Sequence, residues 1–179
     1  MVVGNIFQRN CGQKIIQKSK KMLRMFYGGN VWKSIVIIEI PIYFKNFIIE
    51  HAENDVPNEA CGIIHSKNGQ PSSIHKVTNR ANSPYRYEMD GLQQLNLEKI
   101  RDENGENLFA IYHSHVATEA KPSPTDIRMA FFPPGSFNSE PMFDNIYYVL
   151  VSLAHDNADV RFYKINKGPS VEEITVKFV

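Results

Sequence analysis

The stretch Leu108-Phe109-Ala110-Ile111-Tyr112-His113-Ser114-His115, followed after seven residues by Ser123-Pro124-Thr125-Asp126, decides how the rest of the chain is read. Its first half is apolar, rich in aromatic and β-branched residues, and reads as a strand ending on two histidines. Its second half reads as the start of a short helix running through Phe131, with Ser123 as cap and Pro124 in the first turn.

Working outward, Asp90 caps a helix carrying Leu92, Leu95, Leu97 and Ile100 that ends near Asn104-Gly105. Upstream, Cys61 to His65 and Ser73 to Thr78 read as a hairpin turned at Lys67-Asn68-Gly69. Tyr85 to Met89 alternates like a further strand, a core or meander strand or an edge that binds a substrate tail. Ile35 to Ile40 is strand-like, and Pro41 opens a helix with Phe44, Phe47, Ile48 and Ala52 at helical spacing up to Asn54-Asp55. Downstream, a Pro-, Gly- and Ser-containing loop spans Pro133 to Asp144, with Phe131, Phe132 and Phe137 placed to line an apolar lip. Ile146 to Leu153, Val160 to Ile165 and Val171 to Phe178 complete the strands. The sum is a single α/β domain over residues 35–179, with a mixed central sheet, mostly antiparallel because several links are hairpin-short, flanked by helices.

Composition excludes several classes. The chain has 179 residues, 42% hydrophobic and 22% charged, with a mean hydropathy of −0.33, which fits one folded domain with a true core. The most apolar stretch, Ile35 to Ile49, is broken by Glu39, Pro41 and Lys45, so no membrane span is expected. Two cysteines, Cys11 and Cys61, make no disulfide framework and point to a reducing cytoplasm. The first 38 residues carry seven basic side chains and no acid, leaving 13 basic against 19 acidic in the rest. The body is therefore mildly acidic and nucleic acid is not its expected partner. Residues 1–34 form a basic extension in which Ile15, Ile16, Met22, Leu23 and Phe26 fall on one face of a possible helix. Three readings stand for it: a loosely docked or disordered extension, a translated segment upstream of a start at Met22 or Met25, or an arm for an anionic membrane or a partner.

On a strand, residues two apart share a face, so His113 and His115 present both imidazoles to one point while Ser114 faces away. Asp126, returned by the loop, can add a carboxylate oxygen, and such a set leaves a fourth tetrahedral position for water, as catalytic zinc requires. The proton of that water needs an acceptor and later a route to the leaving amine; Glu59, just before a strand, is assigned that task. Ser123 can then donate to the oxyanion that forms as an amide carbonyl is attacked, so the implied reaction is amide hydrolysis. Each residue alone has a plainer role: Ser123 and Asp126 as a capping box, the two histidines as structural residues, Glu59 as a surface carboxylate. Their joint spacing favours the metal. Cys61 beside Glu59 reads as a buried core thiol rather than a nucleophile, and His51, His65, His75 and His155 read as structural.

The string His113-Ser114-His115, seven residues, Ser123, two residues, Asp126, with Glu59 upstream, resembles the JAMM motif of the MPN+ metalloproteases at every signature position. The likeness runs from about Val36 to Val179. It includes Asn58-Glu59-Ala60-Cys61-Gly62-Ile63-Ile64, the segment Asn82 to Asp90, and Tyr148 to Leu153, and is similar to the compact prokaryotic branch. The resemblance implies an α/β sandwich of cytidine-deaminase type. It also implies zinc held by His113, His115 and Asp126, with Glu59 as general base and acid and Ser123 supporting the oxyanion. Val116 stands where many members have Pro, which removes no ligand.

The prokaryotic likeness further implies a substrate: the C-terminal tail of a ubiquitin-like sulfur-carrier protein, from which one amino acid such as cysteine, or a short extension, is released. An isopeptidase that removes a ubiquitin-like modifier from lysine is the alternative within enzymes. A non-catalytic scaffold is the alternative outside them, and the intact ligand set counts against it.

Overall fold

The computed structural model describes residues 21–23 and 35–179. Its strands are β1 (Lys21–Leu23), β2 (Ile35–Ile40), β3 (Cys61–Lys67), β4 (Gln70–Val77), β5 (Asn107–His115), β6 (Tyr147–Ser152), β7 (Asp159–Asn166) and β8 (Ser170–Phe178). They form one sheet in the order β1-β2-β8-β7-β6-β5-β3-β4. Only β2 with β8 and β5 with β6 pair in parallel; the other neighbours are antiparallel, and of these β3–β4, β6–β7 and β7–β8 are joined by short links. The helices are α1 (Ile42–Asp55), α2 (Gly91–Asn104) and α3 (Pro124–Met129).

Helix α1 forms because Pro41 presets the entry and Phe44, Ile48, His51 and Ala52 recur on one buried stripe. That stripe packs on Ile38, Ile40, Ile64, Ala110, Tyr112, Val149 and Val151, and burying Phe44 and Ile48 contributes about 2 kcal/mol each. The β3–β4 hairpin turns on Asn68 and Gly69, both at positive φ, 55° and 78°, as a two-residue type I′ turn demands. Gly62 in β3 lies so close beneath its neighbours that a Cβ there would run into the His75 carbonyl and the Tyr112 ring.

Helix α2 is capped as expected: the Asp90 carboxylate accepts from the Gln93 N–H, and Gly105 ends the helix in the left-handed region at φ 63°. Of its apolar residues, only Leu97 packs inward, on the cluster of Cys61, Ile63 and Val77. Leu92, Leu95 and Ile100 are exposed at 73, 49 and 40%.

Three expectations change. Tyr85 to Met89 is not a strand: Met89 makes one isolated bridge to Asn79, and the Asn79 side chain takes the Arg86 carbonyl and Glu88 N–H that a ladder would need. Phe131 is fully buried with Phe137 edge-on at 5.2 Å, so both serve the core and Phe132 alone of the three is exposed. Met22 and Leu23 lie in β1, paired with Val36 and Ile35, rather than on a helix; Ile15, Ile16 and Phe26 lie outside the described residues.

Candidate metal centre and active site

Strand β5 ends in the middle of the sheet, between β3 and β6, and its register sets His113 opposite Cys61 on one side and Leu150 on the other. The strand alternation sends His113 and His115 to one face and Ser114 to the other, and all three are buried. The loop that follows is pinned by three carbonyls: Thr118 accepts from the Ser152 hydroxyl, Glu119 from the His115 Nδ1, and Ala120 from the Tyr163 hydroxyl. Those ties carry the chain back so that α3 begins beside the two imidazoles.

At that helix start, Ser123 Oγ accepts from the Asp126 N–H at 3.2 Å, and the Ser123 N–H donates to Asp126 Oδ2 at 2.7 Å. The capping box and the metal-ligand reading are therefore one device, since the cap aims Oδ2 at the histidines. Ser123 Oγ acts only as acceptor there, which leaves its own hydrogen to donate.

The three ligand atoms form a compact triangle. His113 Nε2 lies 3.3 Å from His115 Nε2 and 3.4 Å from Asp126 Oδ2, and His115 Nε2 lies 3.6 Å from the same oxygen. A tetrahedral ion bound at about 2.0–2.1 Å places its ligands about 3.3 Å apart, so the spacing fits zinc. The tautomer fits as well, because His115 Nδ1 donates to Glu119 at 2.8 Å and leaves Nε2 with its lone pair toward the centre. Among the described residues this is the one cluster of three His, Cys, Asp or Glu side chains able to converge on an ion.

The electrostatics divide the acids. Burial alone would raise the Asp126 carboxyl, but hydrogen bonds to His113 and His115 outweigh it and hold the group far below the usual carboxylate range. Burial likewise pulls His115 down, while hydrogen bonds to Asp126 and Glu119 and the charges of Asp126 and Glu59 push it above its ordinary value. Glu59, 5% exposed, moves the other way: burial pushes it up to about 7, aided by the Asp126 charge and opposed by His115. One carboxylate suited to hold a cation and one suited to move protons near neutrality sit in the same site.

Sequence reasoning missed the residues that brace this site. Tyr87 stacks on the His113 ring, centroids 4.5 Å apart and 26° between planes. The Ser114 hydroxyl accepts from the Ala60 N–H at 2.7 Å, tying the backbone after Glu59 to β5. The central position of Ser114, facing away from the histidines, was the available signal for its role; a ring stack and a backbone carbonyl leave none.

Residues 45–166 match the family described as prokaryotic homologs of the JAB domain. The chain belongs to this family and, by its named relatives, to the hydrolases of the JAB class. It is 34% identical over 143 residues to the CysO-cysteine peptidase of Mycobacterium tuberculosis (strain ATCC 25618 / H37Rv), covering 78% of this chain and 90% of that one. The desampylase of Pyrococcus furiosus is 37% identical over 70 residues, 38% of this chain and 49% of its own. A solution structure from Desulfitobacterium hafniense matches with TM-score 0.64 at 26% identity, covering 80% of this chain and 92% of that one. Another from Salinibacter ruber matches with TM-score 0.54 at 20% identity over 79% and 90%, a likeness of fold.

Proposed function

We propose that the chain is a zinc-dependent peptidase that cuts at the C-terminal tail of a ubiquitin-like sulfur-carrier protein and releases a C-terminal amino acid, with cysteine the first choice. The observation that carries the reading is the triangle of His113, His115 and Asp126 with a buried Glu59 poised near neutrality in the same site. The match to a CysO-cysteine peptidase over nine-tenths of that protein supports the choice of substrate. His113, His115 and Asp126 would hold the ion, which when bound supplies Lewis-acid polarisation of the scissile carbonyl and makes a water more acidic. Glu59 accepts a proton from the attacking water and later delivers it to the leaving amine, roles for which a pKa near 7 is matched. Ser123 Oγ–H donates to the oxyanion. A buried, free Cys61 suits the reducing cytoplasm in which this chemistry would run. No described helix is long and apolar enough to cross a membrane.

The second reading, removal of a ubiquitin-like modifier from lysine, is favoured by the partial match to a desampylase. An intact-mass assay of the zinc-loaded protein separates the two. One substrate is a sulfur carrier extended by one C-terminal cysteine, the other a lysine-linked ubiquitin-like conjugate. Loss of the single residue alone is the expected result, and cleavage of the conjugate alone would replace the first reading by the second. Metal analysis is expected to give close to one zinc per chain; Glu59→Gln should keep it and lose turnover, and a variant that loses the metal would contradict the proton-transfer role.

A further inference from the structure

Asn79, two residues past the end of β4, is 6% exposed and spends the whole hydrogen-bonding capacity of its side chain on two loops that wall the metal centre. Its Nδ2 donates to the Glu59 carbonyl at 2.8 Å and to the Arg86 carbonyl at 3.2 Å. Its Oδ1 accepts from the N–H groups of Ala81 and Glu88, each at 3.0 Å. Arg86 and Glu88 flank Tyr87, whose ring lies on His113. The same loop returns to Glu59 from its other side, where the Ser83 carbonyl accepts from the Glu59 N–H at 2.9 Å.

We infer that Asn79 is a positioning residue that fixes the Glu59 backbone and the Tyr87 ring against His113 at once, coupling the placement of the proton-transfer group to the orientation of a metal ligand. A fully satisfied buried amide is the side chain suited to this, because each of its four bonds is costly to lose and none can be made without the others in register. The Tyr87 face holds the His113 ring plane and keeps solvent from that side, while the Glu59 carbonyl, tied at its oxygen, fixes the start of the side chain that must reach the reacting water. An aspartate in its place keeps the shape and both acceptor bonds but has nothing to donate, so it leaves the Glu59 and Arg86 carbonyls without their partner. A loop that merely needed stapling would instead tolerate the loss of any comparable tie. Gln93 supplies that comparison, since it bonds both the Thr78 N–H and the Thr78 hydroxyl from the surface of the adjoining segment and makes no hydrogen bond to Glu59 or Tyr87.

The kinetic half of the test rests on the peptidase reading, and the spectroscopic half does not. In the metal-free full chain, the stacked Tyr87 should displace the His113 ring-proton resonances upfield by its ring current, with Tyr87→Leu as calibration and His113→Gln as assignment. Asn79→Asp and Asn79→Ala are expected to lose that displacement, and Gln93→Ala to keep it. On the zinc-loaded chain with the cysteine-extended carrier, the two Asn79 variants should bind zinc, hold KM within about twofold and lose roughly ten- to a hundredfold in kcat, the scale of a small misplacement at a reacting centre. Gln93→Ala should leave kcat unchanged. If Asn79→Ala fails to fold, the isosteric Asn79→Asp carries both measurements. A folded Asn79→Asp that keeps the His113 displacement overturns the inference, whatever its kcat. A wild type in which the displacement depends on Asn79 but neither substrate is cut would bear out the placement and fault the peptidase reading instead.

Discussion

Burial keeps the Glu59 proton in place well above the pH at which an ordinary glutamate loses it, and that has a thermodynamic consequence separate from catalysis. The native group titrates at about 7 against 4.5 for its ordinary value, so between those values the native state binds more protons than the unfolded one. Stability of the metal-free fold therefore falls as pH rises through that window and stays at the lower level above it. The gap corresponds to about 3 kcal/mol. Glu59→Gln removes the ionisation and should raise the denaturation midpoint of the metal-free chain at pH 8, with the gain shrinking toward pH 4.5. A gain equal at both pH values would mean that the carboxyl is not destabilised by burial. Such a loss of stability is what the proposed proton-transfer role of Glu59 entails, since active sites commonly give up stability for reactivity. Asp126 is the opposite case, because its ionised form is the one the two imidazoles and the Ser123 N–H favour.

At the scale of elements, the β3–β4 hairpin and β5 form the bed of the site, and at Gly62 they leave no room for a Cβ. Gly62→Ala must push either the His75 carbonyl of β4 or the Tyr112 ring of β5 away, and Tyr112 in turn bonds His51 of α1 at 2.9 Å. The expected loss is about 1–3 kcal/mol by denaturant unfolding, toward the upper end because backbone cannot yield as a flexible side chain can. A loss under 1 kcal/mol would show that the strands can separate there. The hairpin, the β-branched strands and the caps of α2 were legible because each carries a local signal: Asn68-Gly69, runs such as Tyr147 to Val151, Asp90 and Gly105. The Tyr85 to Met89 segment misled because its alternation is local, whereas the group that captures its backbone, Asn79, lies several residues earlier and acts through its side chain. The apolar residues of α2 misled in the same way, since periodicity shows which residues share a stripe but not whether another element covers it. The convergence of His113, His115 and Asp126 was readable from their spacing. The position of Tyr87 over His113 and the bond from His115 to the Glu119 carbonyl depend on tertiary geometry that no spacing encodes.

For the molecule as a whole, the order of strands places His113 and His115, the candidate ligands of β5, in the interior of the sheet and brings β2 and β8 together on its far side. Strand β2 pairs in parallel with β8, the Ile42 N–H donates to the Val179 carbonyl at 2.7 Å, and the Val179 N–H donates to Ile40 at 3.0 Å. Strand β1 covers the outer edge of β2, which would otherwise offer an open row of backbone groups. On the opposite side of β5 from those strands, in β3, lies Cys61, fully buried beside His113, with its thiol donating to the Val77 carbonyl at 3.4 Å and pushed up to about 12 by burial and by the charges of Asp55 and Glu59. Such a thiol is chemically silent until β3 parts from its neighbours, so in a Cys11→Ser background its alkylation rate becomes a clock for that opening. If His113 and His115 of β5 and Asp126 of α3 hold the proposed ion only in the closed form, saturating zinc should slow the clock in proportion to one plus the ratio of free zinc to its dissociation constant. A rate indifferent to zinc would mean that β3 opens without disturbing the ligands. A slowing of that kind would make the core cysteine a gauge of the proposed metal affinity, readable with no substrate in hand.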